Sequence, residues 1–374
     1  MPIFSPLSTS SPEPSAWQPF DAFMADALYH PEHGYYTRSI TSEYSQIGTG
    51  AATSDFATSP VISPFFGQTL AKQVAEFLDA TGTSEVWEFG AGTGALAQQL
   101  LKALGDKITR YNIVDLSGTL VAQQKATLEA GLQATSDRDC KALLRKVNWL
   151  QTLPDSIAGV IVGNEVLDAM PVKLLARTNN VWHERGVVNS NDSLSFADVP
   201  TQLRPPIEVA GEHDYVTEIH PQGEAFIQTL ADKLQKSKRG GAILMIDYGF
   251  GESEYYHPER SMGTLMCHQA HESSTNPLEN VGEKDITAHV NFTGIALAAQ
   301  DAGLTVNGYT SQGRFLLNCG LLDHLTHASL AERAMAQKLV TEHEMGELFK
   351  VICLSTLPNF EPLGFAAGDR SHTL

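Results

Sequence analysis

Apolar positions along this chain follow two rhythms. Over residues 17–29, Phe20, Phe23, Met24, Ala27 and Leu28 recur at helical spacing, which predicts a helix ending before Pro31. A second helix is expected over 63–78, with Ser63 as N-cap and Pro64 at its first position. Residues 41–59 between them are rich in Ser, Thr, Gly and Ala and read as a loop. From Glu85 the pattern changes to short apolar runs. Residues 86–89, 111–116, 147–150, 159–164, 242–247, 304–309 and 350–355 read as strands, with helices at 95–104 and 120–130 between the early ones. Such alternation predicts a mostly parallel sheet with helices on both faces. Between 171 and 222 it breaks: 172–176, 181–188 and 194–197 read as short strands joined by Asn-rich turns, an antiparallel excursion from the α/β core. Residues 255–289 form a second irregular insertion.

At 374 residues the chain has room for two domains, or one large domain with insertions, at roughly 150 residues per domain. The pattern divides it into a tail (1–15), an N-terminal helical region (16–80), an α/β core (81–170 and 237–360), an insertion (171–236) and a C-terminal tail (361–374). Charge narrows the partners. With 25 Lys+Arg against 43 Asp+Glu, the net charge of −18 disfavours a protein that grips nucleic acid phosphates and permits a cationic partner. No run approaches the ~20 apolar residues that span a bilayer. The four cysteines are scattered, with no C-x-x-C pair, so neither a disulfide framework nor a zinc signature is expected. Together with a Ser/Pro-rich start lacking Lys and Arg, they lead to the expectation of a cytoplasmic protein.

Three segments carry candidate chemistry. Glu88-Phe89-Gly90-Ala91-Gly92-Thr93-Gly94 follows a strand and opens a helix, where glycines let backbone approach a ligand and the helix offers free N–H groups. A dinucleotide site wants G-x-G-x-x-G; this turn is G-x-G-x-G followed by Ala95. A carboxylate at Glu88 is unfavourable beside a pyrophosphate and favourable beside the ammonium of a methionine moiety, which favours S-adenosylmethionine over NAD. Asp115 ends the next strand, where an acid can accept both ribose hydroxyls; the alternative, a helix N-cap, falls more naturally to Ser117. Asn164-Glu165-Val166-Leu167-Asp168 follows the fourth strand, at the sheet edge where open α/β folds bind ligands. If that turn is helical, Glu165 and Asp168 share a face and can clamp a guanidinium. The alternative is a strand end with solvated acids. His289 lies in a fourth segment, 285–292, about which composition alone says little.

Taken together these blocks resemble the MidA family of class I S-adenosylmethionine-dependent methyltransferases, over about residues 17–355. The resemblance rests on Tyr29-His30-Pro31-Glu32-His33-Gly34-Tyr35-Tyr36, on Asp55-Phe56-Ala57-Thr58-Ser59-Pro60, and on the glycine turn. It continues through Asn164-Glu165 with Asp168-Ala169-Met170-Pro171, Trp182-His183-Glu184-Arg185, Asp247-Tyr248-Gly249, 285–292 and Gln312-Gly313. Ser54 departs from it, standing where a glycine is expected. The resemblance implies a Rossmann-like, seven-stranded sheet with an N-terminal helical lid and an antiparallel β insertion. It implies cofactor contacts at Glu88, Gly90, Ala91, Gly92, Gly94, Asp115, Leu116 and Asn164, and a segment Thr58, Ser59 and Pro60 near the methionine end. It implies Asn164, Glu165, Asp168 and His289 at the acceptor side. Mitochondrial members are complex I assembly factors and protein arginine methyltransferases. The expected partner is therefore a protein carrying a target arginine, such as a complex I subunit, with no nucleic acid and no membrane insertion; a homodimer is compatible. Three alternatives stay open: a methyltransferase acting on a small molecule or RNA, an assembly factor that binds the cofactor without turnover, and, least favoured, an NAD-dependent oxidoreductase.

Overall fold

The computed structural model describes residues 17–37, 58–115, 117–132, 137–190, 193–269 and 272–374. The expectations for the tail at 1–15, for most of the 41–59 loop, for Ser54 and for Leu116 lie outside those residues.

Within them, the main sheet has eight strands rather than seven. Its order is Thr305–Ser311, Phe349–Ser355, Gly241–Phe250, Gly159–Asn164, Glu85–Phe89, Arg110–Val114, Val147–Leu150, with Val290–Asn291 paired to the end of Gly241–Phe250. The extra strand is two residues long, too short to leave an alternating pattern. Gly241–Phe250, Gly159–Asn164, Glu85–Phe89, Arg110–Val114 and Val147–Leu150 run parallel. Phe349–Ser355 is antiparallel to both of its neighbours. Chain order reverses at Glu85–Phe89: later strands lie to one side, the next two to the other. That switch point leaves a crevice beyond the carboxyl ends of the strands.

The two faces of the sheet explain the near-continuous apolar runs in its sequence, because a strand covered on both sides buries every side chain. Val86, Val160, Val162, Leu244, Ile246 and Val351 pack against helices Phe65–Thr81 and Ala95–Leu104. Trp87, Ile161, Ile243, Met245 and Ile352 pack against helices Pro221–Lys236 and Phe292–Asp301. Pro221–Lys236 therefore packs on the α/β core, although the sequence grouped it with the insertion. Its Ile227, Leu230 and Leu234 recur at helical spacing, but the Asn-rich turns before it masked the change of period. The C-terminal residues are likewise packed rather than trailing: Phe365 is buried and the Arg370 N–H donates to Tyr309 O.

The insertion is a second, antiparallel sheet. Val181–Ser190 pairs with Gln18–Pro19, Lys173–Thr178 and Ser193–Pro200, and Lys173–Thr178 pairs with Tyr215–Ile219. Helix Phe20–Tyr29 lays Phe20, Met24 and Ala27 against Leu174 and Val187 of this sheet and against Ile286 and Ala288. Ile286 belongs to a three-stranded sheet of Glu272–Ser274, Met266–Gln269 and Asp285–Thr287. Ser63 was one residue off as a cap. Its hydroxyl accepts the Phe65 N–H at 3.3 Å, Pro64 occupies the N-cap, and a short helix, Ser59–Ile62, precedes it.

Candidate active site

A cavity of about 490 Å³ opens at the switch point. Its first wall is the strand–turn–helix unit Glu85–Phe89 to Ala95–Leu104. Gly90, Gly92 and Gly94 all have positive φ, at 63°, 50° and 84°. Space is short as well: a Cβ on Gly90 would lie 2.8 Å from Val166 Cγ2, where something must shift, and one on Gly94 would lie a tight 3.1 Å from Gln124 Cα. Gly90, Ala91 and Gly92 line the cavity, whereas Gly94 is not among its lining residues and shapes the turn. Glu88 is only 2% exposed, and its Oε2 accepts the Tyr111 hydroxyl at 2.7 Å. Burial pushes its carboxyl up to about 7 against that hydrogen bond, with the Asp115 charge adding to the rise.

Asp115 lines the cavity from the tip of the neighbouring strand. Gln124 Nε2 donates to its Oδ2 at 2.7 Å and the Ser117 N–H to its Oδ1 at 2.9 Å. The cap of the following helix falls to Ser117, whose Oγ accepts the Leu120 N–H at 3.3 Å. Asp115 is thus held in place without being used up as a cap.

The second wall is built at the end of Gly159–Asn164. Glu165 has φ +55°, a left-handed conformation that costs a non-glycine residue roughly 1–2 kcal/mol. The turn it starts is not the helix that the sequence allowed. Asp247 Oδ2 gathers the N–H groups of Val166, Leu167 and Asp168 at 3.0, 2.9 and 3.3 Å, and the Glu165 N–H donates to Ile246 O at 2.8 Å. A buried carboxylate on one strand thus pins a strained loop on the next. Glu165 and Asp168 still reach the same cavity. Asn164 Nδ2 donates to Glu165 Oε1 at 2.8 Å, and the Ser59 N–H also bonds this carboxylate. Burial, with the Asp168 charge adding to it, pushes Glu165 up to about 8 against these hydrogen bonds. Burial also raises Asp168 and Asp247 above the ordinary carboxylate range. Asn164 Oδ1 and Asp168 Oδ1 are buried without a hydrogen-bond partner.

Tyrosines complete this half. The Tyr248 hydroxyl donates to Asp168 Oδ2, the Tyr29 hydroxyl to Ala169 O at 2.9 Å, and the Tyr36 hydroxyl to Asp285 Oδ1 at 2.8 Å. The Tyr29 and Tyr36 rings stack with centroids 5.5 Å apart. Glu88, Asp115, Glu165, Asp168 and Asp285 all line the cavity, and no Lys or Arg does among the described residues.

The sequence-expected residues divide as follows. Thr58 and Pro60 line the cavity; Ser59 is fully buried behind them and contributes its N–H, while its hydroxyl donates to Gln312 Oε1 at 3.0 Å. Gln99 Nε2 fixes the segment through Pro60 O at 2.7 Å. His289 is not among the lining residues. It stacks on Phe250 at 5.2 Å and meets the Tyr248 ring edge-on at 5.0 Å, one layer behind the wall. Burial, with Arg260 and Lys350 nearby, lowers it to about 4, so it is a neutral packing partner of Tyr248. Sequence reasoning gave no role to Tyr29, Tyr36, Asp247, Tyr248 or Asp285. Its signal for them was the grouping in Gly34-Tyr35-Tyr36 and Asp247-Tyr248-Gly249, which places residues without saying what they face.

Sheet order, glycine turn and acidic strand tip together define a class I S-adenosylmethionine-dependent methyltransferase. Comparison with known proteins agrees: the family described as putative S-adenosyl-L-methionine-dependent methyltransferase matches residues 69–310. The chain belongs to this family, the MidA family. A crystal structure of a likely methyl transferase from Burkholderia thailandensis, bound to S-adenosyl-homocysteine, is 44% identical and covers 96% of this chain and 92% of its own, with a TM-score of 0.87. Among curated relatives, the mitochondrial protein arginine methyltransferase NDUFAF7 of Rattus norvegicus is 28% identical over 369 residues, covering 89% of this chain and 79% of its own length. The Caenorhabditis elegans homolog is 25% identical over 348 residues, covering 86% and 78%. These relatives are named as mitochondrial, which overturns the expectation of a cytoplasmic protein. That expectation rested on scattered cysteines and a Ser/Pro-rich start, which do not tell one reducing compartment from another. No helix among the described residues is long and apolar enough to cross a membrane.

Proposed function

We propose that this methyltransferase N-methylates an arginine side chain of a protein, with a complex I subunit as the acceptor that the family resemblance brings forward. The observation that carries this reading is the charge of the cavity wall: five carboxylates and no Lys or Arg among the described lining residues. Three of them, Glu88, Glu165 and Asp168, are buried with only neutral hydrogen-bond donors around them among the described residues, which is costly for a charged carboxylate. A guanidinium entering among them would relieve that cost and offer planar donors for bidentate pairing.

The residues present fit the cofactor. In this proposal Glu88, Gly90, Ala91, Gly92 and Asp115 hold it, Asn164 Oδ1 is an acceptor awaiting a donor, and Gly94 sets the turn. Tyr29, at the end of helix Phe20–Tyr29, and Thr58 and Pro60 border the cavity. When bound, S-adenosylmethionine supplies an activated methyl group. The chain's own contribution is orientation and electrostatics. Glu165 and Asp168 fix the guanidinium plane, and the Glu165 carboxylate takes up the proton that a methylated nitrogen must lose. Arginine stays protonated at any working pH, so that proton leaves during transfer and not before it. In the empty cavity burial holds the Glu165 carboxyl up at about 8, and a guanidinium bound beside it favours the ionised form, which is the form that can receive the proton.

The test is transfer of isotopically labelled methyl to extract from cells lacking this protein, followed by mass spectrometry of the labelled species. Methylarginine in a protein is the expected product. Label confined to RNA or to a small molecule contradicts the proposal.

A further inference from the structure

Two sequence blocks that the cofactor site does not use meet at the outer wall of the cavity. Tyr36 ends the Gly34-Tyr35-Tyr36 turn, and Asp285 starts the Asp285–Thr287 strand, 249 positions later. Three hydrogen bonds tie these segments to each other and to the loop of Glu165. Tyr36 reaches Asp285, Tyr29 reaches Ala169 O, and the Ala288 N–H donates to Asp168 O at 3.0 Å. Backbone packing reinforces the ring: a Cβ on Gly282 would lie 2.3 Å from His33 O, so the insertion and the N-terminal turn are in direct contact. Asp285 lines the same cavity as Glu165 and Asp168, and its charge adds slightly to the rise of the Glu165 carboxyl. The ammonium of the adjacent Lys284 is directed away, to Asn276 O at 3.0 Å.

We propose that Asp285, oriented by the Tyr36 hydroxyl, is the outer arm of the acceptor clamp: it holds a guanidinium from the side opposite Glu165 and Asp168 and so selects a flat, multidentate cation. This rests on the arginine reading above and adds to it a residue that determines specificity. A guanidinium can bond carboxylates on opposite sides at once, because its five N–H groups lie in one plane. An ammonium is a compact point charge that one carboxylate pair satisfies. The Tyr29–Tyr36 pair, packed between the two arms, supplies a flat aromatic surface for such a cation.

The probe is an arginine-containing glycine-rich peptide and its citrulline counterpart, in which a neutral urea replaces the guanidinium. Both are titrated calorimetrically into the full chain saturated with S-adenosylhomocysteine. The wild type is expected to prefer arginine over citrulline by about tenfold or more. Asp285→Asn should remove most of that preference and raise the arginine-peptide Kd by about tenfold, while S-adenosylhomocysteine affinity stays within about threefold. Tyr36→Phe should show a smaller loss in the same direction. If Asp285→Asn lowers the melting temperature, Asp285→Glu carries the test: it keeps the charge and should keep the arginine preference. Asp285→Asn discriminating arginine from citrulline as well as the wild type overturns the inference while leaving the arginine reading intact. A wild type that neither binds nor methylates arginine peptides overturns both.

Discussion

The two halves of the cavity are built in different ways. The half proposed to hold the nucleotide comes from one stretch of chain: Glu88, the Gly90–Gly94 turn and Asp115 lie within two consecutive strand–helix units, and backbone sets its shape. The acceptor half is assembled from four distant segments, around Tyr29 and Tyr36, Glu165 and Asp168, Tyr248, and Asp285. Side-chain hydrogen bonds between those segments set its shape. In the proposed reading, one half serves a fixed ligand. The other concentrates what can vary with the acceptor, and concentrates the charge: three of the five lining acids lie there.

The sharpest way to separate the halves is to damage each alone. Gly90→Val places a branched side chain at φ +63°, against Val166. Strain and overpacking of ~1–3 kcal/mol each should weaken S-adenosylhomocysteine binding on the order of 100-fold by calorimetry. Glu165→Gln should do the reverse. Cofactor affinity should stay within about threefold while methyl transfer falls by about 100-fold or more, as loss of a proton acceptor does. Undiminished turnover would remove Glu165 from the mechanism. Asp115→Asn removes one charge from the nucleotide half and should raise the S-adenosylhomocysteine Kd about tenfold without changing the acceptor KM. If the acceptor KM moves as well, the halves are not separable.

A smaller effect follows from the buried acids. Glu165 titrates near 8 in the folded chain and near 4.5 when unfolded, so between those values the native state holds a proton that the unfolded chain has released. Its contribution is fully present below about pH 4.5 and is lost as pH rises through about 8. Glu88, near 7, acts with the same sign. The melting temperature of the ligand-free protein should therefore fall between pH 6 and 9, and Glu165→Gln, which cannot ionise, should fall less. Equal slopes for the two proteins, followed by circular dichroism, would show that Glu165 is not buried as described.

The contrast also explains what could be read from the chain. Helix Ala95–Leu104 and strands Val147–Leu150 and Gly159–Asn164 carry their periodicity locally, and their boundaries follow from it. The glycine turn is legible for the same reason: positive φ at three nearby positions demands glycine, and glycine is visible. Helices such as Phe292–Asp301 and Leu330–Val340 left weaker traces among small and polar residues. Asp247 was invisible as a loop pin because its partners are backbone N–H groups of residues 80 positions away. Asp285 gains meaning from its hydrogen bond to Tyr36, 249 positions away in the chain. His289 shows the opposite failure: a histidine in a suggestive block that packs behind the wall.

A crystal structure of the protein with S-adenosylhomocysteine and an arginine peptide tests the central claim most directly. The account predicts the nucleoside between the Gly90–Gly94 turn and Asp115, the sulfur facing Glu165, and the guanidinium between Glu165 and Asp285. A sulfur turned away from Glu165, or a peptide arginine outside the acidic half, would contradict it.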